Sequence, residues 1–221
     1  MEKGRFCQSC SFAFPTVNMT KTPFALTYIL YDEGSLIGWL MALLSLCPIF
    51  IIVVWTFFAL FESKHNRISN VVLLLGLLFN TGLNMILKPW FNEERPRDLV
   101  DQPFINFKPG NGFPSDHAQF MAFFSIHIFF WLKDRRDQLL SFTFFPLLIS
   151  FEVGSLLVAY SRVYLKYHTL KQAVAGYGFG LVSGLLYLSV KPYAIKVARF
   201  LLTPMEQKEK QRPRNTPKNR R

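Results

Sequence analysis

Residues 36–61 include no charged side chain, and Ser45 and Thr56 are their only hydroxyl residues. A run of that length constrains the backbone more than any other feature of the chain. A bilayer core of about 30 Å offers peptide groups no water, and crossing it takes about 20 helical residues. Four further apolar runs follow at residues 68–87, 118–132, 139–160 and 172–190, separated by polar segments. The pattern predicts an all-α, polytopic membrane helix bundle with about five transmembrane helices. The short apolar stretch 24–31 leaves room for a sixth, short or interfacial helix. Hydrophobic residues make up 51% of the chain and Phe supplies 24 of them, as expected of a membrane protein. Pro48 allows a kink in the first span. Run 118–132 is short, at about 1.5 Å per residue, and reaches across only if its helix starts near Ser115 and Lys133 snorkels.

Three regions follow from this reading: an N-terminal segment 1–35, a membrane domain 36–190, and a basic tail 191–221 whose composition predicts disorder. The net charge of +11 is concentrated in that tail, which holds +8 and leaves +3 for the rest. A nucleic-acid-binding domain is therefore not indicated. A basic segment after an apolar helix is instead a topology signal or a contact for anionic membrane lipids. Five crossings put the tail and loops 62–67 and 133–138 on one side, with fifteen Lys and Arg. The other side, with the N-terminus and loops 88–117 and 161–171, has ten. The positive-inside rule then assigns the tail to the cytosol and the two longer loops to the lumen. No cleavable leader is expected, so the first span serves as its own signal. Cys7 and Cys10 form an isolated pair, Cys47 is a packing residue, and Asn18-Met19-Thr20 is a sequon usable only on the lumenal side.

The polar stretches between spans carry the chemistry. Lys88 is followed seven residues later by Arg95-Pro96, pairing a point charge with a planar fork suited to two phosphate oxygens. Pro114-Ser115-Asp116-His117 directly precedes an apolar helix. Ser115 or Asp116 there is a natural N-cap, yet the same position offers a hydroxyl, free backbone N–H groups and an imidazole able to give a proton. Ser161 to His168 adds Arg162 and His168, the latter a side chain fit for nucleophilic attack near neutral pH. Tyr164, Lys166 and Tyr167 are expected to anchor at the interface, and Glu93 and Glu94 to be solvated or paired with an Arg. Glu152, inside the fourth span, is a candidate partner for Arg162 or His168. Each stretch alone has an ordinary structural explanation. An even number of crossings separates the two loops, so they can meet, and together they suit a phosphate. Gly176, Gly180 and Gly184 recur every four residues, a stripe for close helix packing.

The joint pattern K-x6-R-P, P-S-x-H and S-R-x5-H, between apolar spans and in this order, resembles the type 2 phosphatidic acid phosphatase superfamily. Tyr31 to Gly34, Pro114 to Met121 and Ser161 to Gln172 are most similar to its dolichyl-diphosphatase branch, over about residues 25–205. The resemblance implies hydrolysis of a polyisoprenoid diphosphate lipid, dolichyl diphosphate, on the lumenal face of the endoplasmic reticulum membrane, recycling the lipid carrier of N-glycosylation. It implies His168 as the nucleophile that becomes phosphohistidine and His117 as the proton donor to the leaving oxygen. Lys88, Arg95, Ser115 and Arg162 hold the phosphate, and neither a metal nor another cofactor is needed. Protein partners are not indicated. Two positions depart from the superfamily pattern. Asp116 replaces a Gly, and Gln172 stands where an Asp four residues after the nucleophile orients it. Asp116, Glu152 and Gln172 are therefore supporting candidates, and Glu152 and Gln172 both remain open as orienters of His168. The superfamily fold has six core helices against the five spans read here. A lipid phosphatase acting on phosphatidate-like monoesters, and a catalytically silent membrane scaffold, are the alternatives. The Gly-striped fifth span and the Phe-rich third are expected to form a groove for the lipid.

Overall fold

A computed structural model describes residues 21–23, 29–96, 111–138 and 140–210. Cys7, Cys10, Asn18, most of the loop after Arg95 and the chain end after Lys210 lie outside the described residues, as does the side chain of His65. A small antiparallel hairpin comes first, β1 (Lys21–Pro23) pairing with β2 (Leu30–Asp32) so that Thr22 faces Tyr31. Six helices follow among the described residues: α1 (Leu36–Leu44), α2 (Cys47–Phe61), α3 (Lys64–Phe91), α4 (Asp116–Asp134), α5 (Ser141–Tyr164) and α6 (Leu170–Lys210). A short 3₁₀ turn, Arg136–Gln138, precedes α5.

The first apolar run is thus two helices in one span, Leu36–Phe61. The break falls at Ser45 and Leu46, just before Pro48 in the first turn of α2. Pro48 has no N–H to give the preceding turn, and Ile49 N donates to Leu46 O rather than reaching back to Ser45 (3.0 Å). The sixth helix is therefore a division of the first span.

By length and composition four segments among the described residues can cross a membrane: Leu36–Phe61, Asn66–Phe91, Phe142–Tyr164 and Leu170–Leu201. They present large apolar side chains outward, among them Phe57, Phe79, Leu156 and Val182. Helix α4 has a different job. It is the centre of the bundle, packed against α6, α5, α3 and α2. Its 19 residues cover about 28 Å. Because protein surrounds it, it carries Gln119, Ser125 and His127 in buried positions that lipid would not tolerate. Leu73, Leu77, Phe120, Phe123, Phe124 and Val158 form the core around it.

The glycine stripe of α6 faces α4. A Cβ on Gly176 would collide with the backbone oxygen of Ser115, and one on Gly180 with that of Gln119. The small residues bring two backbones into contact, so the expected lipid groove between these helices is filled by α4 itself. Helix α6 also continues through residues 191–210, past the expected start of the tail at 191. In that segment Lys191, Lys196 and Arg199 alternate with the strong helix formers Ala194, Ala198 and Leu201.

Candidate active site

The connection from α5 to α6 is only residues 165–169, and it must reverse the chain at the end of the bundle. Lys166 takes a left-handed conformation to do so (φ 62°). Leu165 and Tyr167 then pack inward against Ala42. Tyr167 is a buried support here, not the interfacial anchor expected. Its hydroxyl accepts from Leu30 N (3.0 Å), and its ring lies under the Arg162 guanidinium (4.1 Å). Its carbonyl accepts from Arg95 Nη1 (3.2 Å), while His168 N donates to Arg162 O (3.1 Å). Arg95, Arg162 and His168 are gathered around one tyrosine.

The Pro114–His117 stretch is fixed from below by amides. Asn84 Nδ2 donates to Pro114 O (3.3 Å) and to Gln119 Oε1 (2.8 Å), and Gln119 Nε2 donates to Asn80 O and Oδ1 (both 3.1 Å). Ser183 Oγ completes the set by donating to Asn80 Oδ1 (2.7 Å). From the side, Ser115 N donates to Gln172 O (3.1 Å). Ser115 occupies the N-cap position of α4, yet its side chain makes no capping bond. Its hydroxyl is fully buried with no partner among the described residues. The capping explanation therefore does not account for it. The His117 ring meets the backbone carbonyl of Ser45, which the break before α2 leaves without a helical donor.

These groups share one electrostatic neighbourhood. His168 feels the charges of Arg95, Arg162 and Lys88, and His117 those of Arg162 and Lys88. Asp116 faces Lys88, Arg162 and Arg95, so the carboxylate that replaces Gly is set among three cations. Burial first, then Arg95 and Arg162, push the His168 imidazole well below its ordinary range, against the pull of the Gly112 carbonyl. The result is a neutral imidazole at neutral pH. Arg162 is only 5% exposed, and its Nε and Nη1 find no partner among the described residues.

The structure brings together Lys88, Arg95, Ser115, Asp116, His117, Arg162, His168 and Gln172. It does not bring Glu152. That carboxylate accepts from Ser125 Oγ (2.6 Å), about 15 Å along α5 from Arg162. Of the two orienters left open, Gln172 is at the histidine: His168 Nδ1 lies 2.8 Å from Gly112 O and 3.3 Å from Gln172 Oε1. Glu93 is the residue the sequence concealed. It is not simply solvated, and its partners among the described residues are not arginines: it accepts from Lys171 Nζ (2.9 Å) and Gln172 Nε2 (3.0 Å). The Lys171 hydrogen bond, and after it that of Gln172, hold its carboxyl below the usual range. No local spacing marks it, because its partners are 78 and 79 residues away.

Two histidines and a set of cations, Arg162 buried and Lys88 and Arg95 half-buried, at the end of a helix bundle define a membrane-embedded phosphatase. The chain belongs to the PAP2 superfamily, which matches residues 69–196. It is 36% identical over 173 residues to human dolichyldiphosphatase 1, covering 76% of this chain and 69% of that protein. It is 37% identical over 170 residues to the same-named protein of Callithrix jacchus, covering 74% and 68%, and 31% identical over 180 residues to dolichyldiphosphatase of Saccharomyces cerevisiae, covering 78% and 72%. Its fold is shared with a transmembrane PAP2-type phosphatidylglycerolphosphate phosphatase from Bacillus subtilis, at TM-score 0.56 and 23% identity over 70% of this chain and 76% of that one.

Proposed function

We propose that this chain hydrolyses dolichyl diphosphate to dolichyl monophosphate and phosphate through a phosphohistidine on His168. The observation that carries the phosphate chemistry is the set of buried donors with no partner among the described residues, Ser115 Oγ and Arg162 Nε and Nη1, beside two histidines. A buried donor left unsatisfied costs about 1–3 kcal/mol, more when charged, so the cluster is built for an oxyanion. In the first step the Nε2 lone pair of His168 attacks the terminal phosphorus. The bond from phosphorus to the bridging oxygen breaks, and His117 gives its proton to the departing monophosphate. In the second step water attacks the phosphorus, its proton passes to His117, and the P–N bond breaks. Lys88, Arg95, Ser115 and Arg162 hold the oxygens on which charge develops.

The relatives' names and their coverage of most of this chain favour the isoprenoid diphosphate. The fold offers a place for a long apolar tail. A cleft of about 860 Å³ lies between α3 and α6, lined by Leu75, Phe79, Leu83, Leu186 and Val190 among others. Leu83 is five residues before Lys88, about 7.5 Å along α3. The excess of Lys and Arg on the tail side favours a cytosolic tail, with the site on the lumenal face of the endoplasmic reticulum membrane, where the diphosphate carrier of N-glycosylation would be recycled.

The test is phosphate release by the purified protein from dolichyl diphosphate and from phosphatidate, beside His168→Ala. The expected result is a preference for the diphosphate and no release by the variant. A preference for phosphatidate overturns the substrate, and an active variant overturns the mechanism.

A further inference from the structure

Gln172 stands where a carboxylate would orient the nucleophile, and the packing around it shows what replaces that carboxylate. The Gln172 amide cannot flip. Its Nε2 faces two acceptors, Glu93 Oε1 (3.0 Å) and Glu94 O (2.7 Å), and its Oε1 accepts from Thr169 N (3.1 Å). Its own backbone N donates to Thr169 Oγ1 (3.2 Å), which closes the turn that carries it. With the amide so fixed, both neighbours of His168 Nδ1 are oxygens without hydrogens, Gly112 O and Gln172 Oε1. Nδ1 must then hold the ring proton, which leaves the lone pair on Nε2.

Both of those oxygens are placed by Glu93. Its side chain holds the Gln172 amide, and its backbone oxygen accepts from Gly112 N (2.7 Å). Glu93 also pairs with Asn111 across the strand-like bridge that brings the two ends of the loop together. The approach is so close that a Cβ on Gly112 would come within 2.6 Å of Glu94 O and 2.8 Å of Gln172 Nε2. Glu93 also lies two residues before Arg95, so the same short segment fixes a phosphate ligand and the orienters of the nucleophile.

We propose that Glu93 is a positioning residue for the nucleophile. Through the Gln172 amide and the Gly112 carbonyl it holds His168 in the Nδ1–H tautomer with Nε2 directed to the phosphorus. It acts by hydrogen bonding and not by its charge. Its carboxylate is partly exposed and already paired with Lys171 (2.9 Å), so its field at the ring is screened. This rests on the reading of His168 as the nucleophile.

The experiment compares Glu93→Ala and Glu93→Gln with the native protein in purified form, alone and in a Gln172→Asp background. Glu93→Ala is expected to lower kcat about 10-fold with KM little changed, because misplacing a reacting group acts on the chemical step. Glu93→Gln keeps an acceptor for Gln172 Nε2 and is expected to retain activity within about 3-fold. With Asp at 172 a carboxylate can meet Nδ1–H directly, and adding Glu93→Ala is then expected to cost little; such loss of additivity is not a property of a merely stabilising residue. Imidazole ¹⁵N shifts read the tautomer, and Glu93→Ala should mix Nε2–H into the His168 signal. A melting temperature for each variant separates misfolding from misplacement. Native kcat and an unmixed tautomer in a folded Glu93→Ala overturn the proposal. So does equal damage by Glu93→Gln, or additive damage in the Gln172→Asp background. Failure of the underlying reading is distinct: His168→Asn would then remain active and form phosphoenzyme.

Discussion

Arg162 is an expensive residue to place at the end of a membrane helix, and its surroundings say why it must be arginine. The guanidinium is stacked on Tyr167 at 4.1 Å and is 5% exposed, with two nitrogens unpaired among the described residues. Lysine would keep the charge but lose the stacking and the fork that meets two phosphate oxygens. Arg162→Lys is expected to lower kcat about 100-fold, the scale on which a lost transition-state donor is felt. Phosphate release in detergent measures it, and a loss under about 3-fold would show that charge alone suffices. His168 makes a second prediction. Its pKa is depressed, so the neutral form persists as pH falls through about 6.5, where an exposed imidazole gains its proton. The neutral nucleophile is therefore expected to remain below that pH and be lost only as pH falls through the depressed value. Histidine ring resonances, with that of His168 identified by its absence from His168→Asn, test this; a midpoint at or above 6.5 would contradict it. The motif residues were legible because each motif is local and the motifs lie between recognisable spans. Glu93, Tyr167 and Ser45 were not, because their roles are contacts across the bundle that no spacing encodes. Glu152 was misplaced for the same reason: a polar residue in a span needs a partner, but sequence does not say which.

The contact between α4 and α6 converts two helices into a site. Ser115 is pressed against Gly176 on one side and receives the amide-clamped Pro114 on the other. The stripe of glycines was visible in the sequence, and so was its meaning as a packing surface. Its partner was not, since small residues say that something comes close without saying what. Gly176→Ala is expected to displace Ser115 and lower phosphate release by at least about 10-fold, with a lower melting temperature. Gly178 supplies the control on the same helix. A Cβ there meets nothing within 4 Å among the described residues, and Gly178→Ala should keep activity while gaining the helix propensity of alanine, up to about 1 kcal/mol. Equal effects of the two substitutions would show that general helix stability, and not the approach to Ser115, is what the stripe serves. The break at Ser45 and Leu46 belongs to this scale as well. A single apolar run reads as one span, and it is one, but the interruption before Pro48 frees the carbonyl that His117 meets. Proline marked the place; only the neighbouring helix shows the use.

Crossing number decides where the chemistry can be. Helices α3 and α5 both end on the side where Lys88, Arg95, Arg162 and His168 gather, and α4 returns the chain between them. The sequence already required this, because two crossings separate the loops whatever the orientation of the whole. Which compartment receives that side is set by charge, and the helical extension of α6 through residues 191–210 adds its cations to the opposite face. Two exposed positions report the two sides directly. Lys166 lies in the turn beside His168, and Arg136 lies in the 3₁₀ turn at the far end of α4. In a chain whose three cysteines are replaced by serine, Lys166→Cys and Arg136→Cys are each exposed to a membrane-impermeant maleimide in sealed endoplasmic-reticulum vesicles. Arg136→Cys is expected to react at once and Lys166→Cys only after the vesicles are opened with detergent. The reverse pattern would keep the fold and site but turn the molecule over. Reaction of both without detergent would break the count of crossings on which the meeting of the two loops depends.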